Sequence, residues 1–218
     1  GLFHAFEDPQ MPELEVFMTP MIVEENLNKG QYEKTPLLKK FGRNLLVRGR
    51  KVAKPGVQID INQERPKSLG TVRLRNSDPT EYPLIDPNYF SDPRDLEELV
   101  KGVGVMREIM SQNEISQYIN EEIHPWLNAN TRSEIIEAIK ITAYTGHHPC
   151  STAKMGAKND PMAVLDENLK VRGLNGLRVC DASAMPTQIT GNLYATVLAM
   201  AEKAADIILD KPPLKENL

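Results

Sequence analysis

Cysteine is nearly absent. Cys150 and Cys180 are the only two in 218 residues. They are too few for a disulfide framework, and neither sits in a CxxC or Cys/His spacing suited to zinc. No metal site is expected. Histidine is almost as scarce, with four residues. Long apolar runs are missing too: stretches such as "ATVLAMA" fall far short of the roughly 20 residues a membrane helix needs, so no membrane span is expected. There is no basic excess either. A net charge of -4 and a pI near 5.7 remove the electrostatic basis for nucleic acid or an anionic membrane as partner. The chain opens "GLFHAFEDPQ", with neither a signal-peptide pattern nor an initiator methionine. Its start is therefore a processing site, an expression boundary or a cut through a longer protein. The compartment stays open, with the cytoplasm favoured.

What is present suffices for a core: 40% of residues are hydrophobic, enough for one large domain or two small ones. Up to about residue 92 the chain is rich in proline and in alternating runs. "ELEVFMTP" alternates through Leu14, Val16 and Met18, "VQIDIN" through Val57, Ile59 and Ile61, and "TVRLRN" through Val72 and Leu74. Period two marks half-buried strands, and these three are expected to be antiparallel neighbours. "TPLLKKFGRNLLVRG" between the first two reads as a short helix or loop.

Helices follow. Asp92 as N-cap and Pro93 at the first position open an amphipathic helix carrying Leu96, Leu99, Val100, Val103, Met106, Ile109 and Met110. Thr131 and Glu134 form a capping-box pattern before Ile135, Ile136 and Ile139. Beyond Gly156, "MAVLD" and "LRVCDAS" read as short buried strands. "GNLYATVLAMAEKAADIILD" reads as a helix with Ala195, Leu198, Ala199, Ala205, Ile208 and Leu209 on its apolar side. A strand ending in an acidic residue, then a loop and a helix start, is one way nucleotide-binding sheets present N–H groups to phosphate.

The stretch "YTGHHPCSTAKMG", Tyr144 to Gly156, holds two of the four histidines side by side. His148 precedes Pro149, which holds its backbone extended. An imidazole aimed from such a loop suits proton abstraction near neutral pH. Two other readings stand beside that one: hydrogen bonding at a domain seam, or a Cys150 nucleophile with a histidine base, for which no oxyanion-hole or triad pattern is seen.

"HHPCSTAKMG", "MAVLDENLKVRGLNGLRVCDASAMPTQITGN" and "ATVLAMAEKAADII" together resemble, in order and spacing, the C-terminal signature of the glucose–methanol–choline (GMC) flavoprotein oxidoreductases. "SLGTVRLRNSDPTEYPLIDPNYFSDPRDLEELVKGV" and "MPELEVFMTP" are similar to that family's substrate-domain segments. The resemblance implies an α+β chain. Residues 1–145 would form an antiparallel sheet covered by helices, the substrate domain. Residues 146–212 would be the C-terminal strands and helix of an α/β FAD-binding domain, and 213–218 a tail.

It further implies oxidation of a primary or secondary alcohol, with hydride passing to flavin N5. His148, directly before the proline of an "HPxGTCxMG"-like stretch, would be the general base. Asn192 would hydrogen-bond the substrate oxygen and steady the developing alkoxide. His147 would lie against the flavin, or simply pack. Asp181 and Ala182 match the strand end beside the ribityl–pyrophosphate, and Gly191, Asn192 and Leu193 match the helix start facing the isoalloxazine. Ser151 and Ala153 replace the commoner glycine and cysteine of the motif. No GxGxxG fingerprint follows a strand, and "GVGVMRE" lies inside the Asp92 helix. Most of the FAD site is thus expected in a missing N-terminal half. The partners implied are a small-molecule alcohol and that half, or a second copy of the chain, and the isolated piece is expected to be inactive. A hydroxynitrile lyase-like member of the fold, or a non-catalytic fragment or subunit, are the alternatives.

Overall fold

A computed structural model of the chain describes residues 2–3, 12–19, 56–123 and 126–212. The stretch "TPLLKKFGRNLLVRG" lies outside the described residues. Five strands are described, β1 (Leu2–Phe3), β2 (Leu14–Thr19), β3 (Gln58–Gln63), β4 (Thr71–Arg73) and β5 (Leu84–Asp86). Four helices accompany them, α1 (Pro93–Met110), α2 (Asn113–Ser116), α3 (Arg132–Thr142) and α4 (Tyr194–Ile208), with 3₁₀ turns at Trp126–Asn128 and Ala182–Ala184. The class is α+β. The chain divides into two compact units: residues 1–63 with 92–145, and residues 64–91 with 146–218. Residues 64–91, counted with the first 145 on sequence grounds, cluster with the C-terminal unit.

In the first unit β1, β2 and β3 form an antiparallel sheet, with Val16 opposite Ile61 and Met18 opposite Ile59. Helix α1 lies across it. Asp92 caps α1 by accepting from the Arg94 N–H at 3.0 Å, and Pro93 occupies the first turn, as the sequence predicts. The face α1 buries includes Gly102, Val103 and Met106 but also Asp95 and Glu98. Those acids meet a polar partner, since the Gln63 side-chain amide donates to Glu98 at 2.6 Å and to Asp95 at 3.4 Å. Helix α3 has the expected capping box, Thr131 accepting from the Glu134 N–H and Glu134 accepting from the Thr131 N–H at 2.8 Å. Those backbone donors hold the Glu134 carboxyl below its ordinary value. Arg107 ties the intervening segment to α1 through Glu122 and the Trp126 and Ala129 carbonyls.

The third expected strand is not a neighbour of β3. Thr71–Arg73 pairs instead with Leu84–Asp86, Val72 facing Ile85, in a separate two-stranded sheet. Alternation fixes which residues share a face but not which partner pairs. The seven residues between β3 and β4, with Pro66 and Gly70 among them, already belong to the second unit.

That unit is built round Leu165, Leu169, Ala184 and Ala204, with Met155, Val171, Val179, Cys180 and Met200 packed against them. "MAVLD" and "LRVCDAS" are not strands. They contribute isolated bridges only, Met155 with Leu165, Leu165 with Val171, and Lys170 with Arg178. Left-handed residues at Leu169, Gly173 and Gly176 turn the chain before a ladder can extend.

Helix α4 forms where expected but presents a different face to the core. Ala204 is buried and Met200 packs there, whereas Ala195, Leu198, Ala199, Ala205, Ile208 and Leu209 are exposed. The helix is apolar on both sides, so periodicity alone does not select the buried one.

The segment after the histidines docks on the Ala182–Ala184 turn. The N–H groups of Ser151, Ala153 and Met155 donate to the carbonyls of Ala182, Ser183 and Ala184 at 3.1, 2.9 and 2.9 Å. Ser151 holds φ 67°, a left-handed conformation that suits glycine. Glycine is the commoner residue at this place in the resembled motif, and its φ supplies the physical reason.

Two predictions follow from this packing. A Cβ at Gly102 would meet Leu14 Cδ1 at 2.8 Å and Ile61 Cγ2 at 3.0 Å, whereas one at Gly104 meets nothing within 4 Å. Gly104→Ala should therefore raise stability by up to about 1 kcal/mol through helix propensity. In Gly102→Ala, overpacking of about 1–3 kcal/mol should outweigh that gain. Urea unfolding of the two variants checks the sign of each, and equal shifts would refute the close approach. At Ser151, Ser151→Gly should be neutral or stabilising by up to about 1 kcal/mol, and Ser151→Val should cost more than about 1 kcal/mol because a β-branched residue resists φ > 0. The reverse order in thermal melts would exclude the left-handed turn.

Candidate functional site

All residues singled out from the sequence as a site fall in the second unit. His147 and His148 lie on a loop and are exposed, and His147 holds φ 62°. Just beyond them Cys150 Sγ donates to Gln188 Oε1 at 2.9 Å, and the three backbone bonds from Ser151, Ala153 and Met155 follow. The histidine loop is thus tied at its C-terminal side to two stretches, 182–184 and Gln188. Four residues past Gln188 stands Asn192, exposed, between Gly191 and the buried Leu193.

Gly191 has φ 92°, and nothing lies within 4 Å of where a Cβ would stand. Glycine serves there for backbone direction and leaves open space. The Gly191 N–H donates to the carboxylate of Glu64, which is buried. Leu193 is the N-cap of α4 and supplies no side-chain cap, and its own side chain packs inside. Of the three residues matched to the helix start, Asn192 alone offers an exposed polar side chain.

Asp181 caps the 3₁₀ turn, one oxygen accepting from the Ser183 N–H at 2.8 Å and from the Ser183 hydroxyl. Ala182 gives its carbonyl to Ser151. Farther along, Lys154 pairs with Asp160 at 2.8 Å, and Arg172 donates to the Gly156 and Ala157 carbonyls at 2.7 and 3.0 Å. The Lys154 hydrogen bond and the Met162 N–H hold the Asp160 carboxyl below the ordinary aspartate value. These contacts brace the turn that follows the histidine motif.

Sequence reading missed Glu64 and Gln188. No local pattern singles out either residue, and none announces a charge that tertiary packing will bury. Among the described residues, no three His, Cys, Asp or Glu side chains come together as a metal site, and no helix is long and apolar enough to cross a membrane. A groove of about 350 Å³ in the first unit, lined by Ser133, Glu134, Glu137 and Ile141 among others, contains none of the candidate residues.

The residues fit a bound FAD in kind. The first turn of α4 has N–H groups that no side chain caps, Gly191 leaves room for close approach, and Asp181 and Ala182 bring a carboxylate and a small side chain to one turn. Uncapped helix donors favour an anionic group.

Comparison with known proteins gives the family. A family model described as GMC oxidoreductase matches residues 66–201. The oxygen-dependent choline dehydrogenase of Vibrio vulnificus is 41% identical over 159 residues, covering 73% of this chain and 28% of that protein. Among solved structures, pyridoxine 4-oxidase from Mesorbium loti matches with a TM-score of 0.73 at 29% identity, over 93% of this chain and 35% of the other. Formate oxidase of Aspergillus oryzae RIB40, in a structure concerned with FAD modification, matches with a TM-score of 0.74 at 25% identity, over 94% and 33%. The chain spans less than a third of the length of the curated relatives it matches. With a match over more than half its length and the α+β architecture in common, the chain belongs to the GMC oxidoreductase family.

Proposed function

We propose that this chain is the C-terminal part of an FAD-dependent oxidoreductase acting on the CH–OH group of a small alcohol, with His148 as general base and Asn192 as hydrogen-bond donor to the substrate oxygen. One observation carries the reading. The loops bearing His148 and Asn192 belong to one compact unit, both side chains are exposed, and each loop is fastened just beside its polar residue, at Cys150 and at Gly191. Exposed side chains on braced loops are what a proton-transfer site requires, since the reacting groups must be reachable and held in place.

In this reading the His148 imidazole takes the hydroxyl proton and holds it while the C–H bond is oxidised. The side-chain amide of Asn192 donates to the same oxygen, offsetting the negative charge that grows there as the proton leaves. Asp181, Ala182, Gly191 and the α4 start would hold the cofactor, with His147 against it. FAD, when bound, supplies the two-electron acceptor. The names of the relatives, choline dehydrogenase, pyridoxine oxidase and formate oxidase, span different substrates, so the reading stops at the class of reaction.

The 218 residues alone are not expected to hold the cofactor, because the relatives are more than twice as long and this chain has no GxGxxG turn after a strand. After incubation with FAD and gel filtration, the chain should emerge without flavin absorbance near about 450 nm. A yellow protein would show the piece to be self-sufficient. In the full-length enzyme, His148→Ala should slow alcohol-driven flavin reduction by about 10²–10⁴-fold with FAD still bound. Asn192→Ala should slow it by about 10²–10³-fold. Stopped-flow absorbance measures both, and unchanged rates would remove these residues from the mechanism.

A further inference from the structure

Among the described residues, the second unit buries one carboxylate, that of Glu64. Glu64 follows β3 directly, is 5% exposed, and accepts from the Gly191 N–H across 127 residues of sequence. Burying a carboxylate is costly unless it is hydrogen-bonded. A charged acceptor on a backbone N–H is among the stronger hydrogen bonds a protein makes.

The geometry around Gly191 says what the charge does. With φ 92° and open space on the side where a Cβ would stand, the residue is there for its backbone direction. The next residue is Asn192, then Leu193, the N-cap of α4, which has no side-chain cap of its own. The turn between Gln188 and α4 is therefore fastened at Gly191.

We propose that Glu64 is a positioning residue for Asn192: its carboxylate pins the Gly191 amide and so fixes the turn that carries the Asn192 side chain. This rests on the reading of Asn192 as donor to the substrate oxygen. Glu64 itself touches neither substrate nor reacting atoms and acts through the backbone of its partner.

Two readouts test it. In the 218-residue chain, amide exchange at Gly191 should be slow in the native protein and about tenfold or more faster in Glu64→Ala. In Glu64→Gln the bond should persist, with the Gly191 amide proton shifted upfield because the acceptor has lost its charge. That variant decides the contact even if Glu64→Ala fails to fold, and an unchanged Gly191 shift would overturn it. In the full-length enzyme, Glu64→Ala should slow flavin reduction by about 10–100-fold, the usual cost of a misplaced group, and Glu64→Gln should restore most of the rate. In an Asn192→Ala background the Glu64→Ala loss should vanish, since residues acting through one another are not additive. Full additivity would show a merely structural role and overturn the proposal. The two failures separate cleanly: unchanged rates in Asn192→Ala sink the functional reading, whereas unchanged Gly191 exchange in Glu64→Ala sinks the Glu64 contact alone.

Discussion

Three backbone hydrogen bonds, from alternate residues Ser151, Ala153 and Met155 to the consecutive carbonyls of Ala182, Ser183 and Ala184, are the constraint from which the C-terminal unit is organised. An extended chain advances about 3.3 Å per residue and a 3₁₀ turn about 2 Å, so this pairing cannot grow into a ladder. It ends after one turn. The docked segment leaves the histidine loop on one side, and on the other it delivers Met155 to the core, where it packs against Leu165 and Ala184. Core and candidate site are thus the two ends of one short stretch.

That arrangement explains which departures from the resembled motif the chain tolerates. Ser151 donates its N–H to the Ala182 carbonyl while holding a left-handed φ. The strain is local, of order 1–3 kcal/mol for such backbones, and the hydrogen bonds and the buried Met185 beside the turn oppose it. Ala153 sits where a cysteine is commoner, and its contribution is its N–H to Ser183, which any residue but proline supplies. The bonds that orient the loop come from the backbone, so they survive changes in side chain.

Legibility in the sequence followed the range of the interactions. Caps act within four residues, so Asp92, Pro93, Thr131 and Glu134 announced two helices that the structure contains at those positions. The β2–β3 pairing was legible because both strands alternate, but the partner of Thr71–Arg73 depended on a turn at 74–83 that alternation does not encode. The runs "MAVLD" and "LRVCDAS" carry strand composition, yet left-handed residues at Leu169, Gly173 and Gly176 turn the chain between them, and only single bridges form. The inward face of α4 is not legible from periodicity, because alanine and leucine occupy both sides. The site divides the same way. His148 and Asn192 were visible through their motif, whereas Glu64 and Gln188 matter only through partners far off in sequence.

The buried acids show how the two units meet the same physical demand differently. Asp95 and Glu98 accept from the Gln63 side-chain amide inside the first unit. Glu64, one residue beyond Gln63, turns to a backbone N–H in the second unit instead. A side-chain amide can follow its acceptor by rotating, but the N–H of Gly191 moves only if φ and ψ move with it. The bond from Gly191 to Glu64 therefore bears on the backbone of a turn, and it is that turn that precedes Asn192.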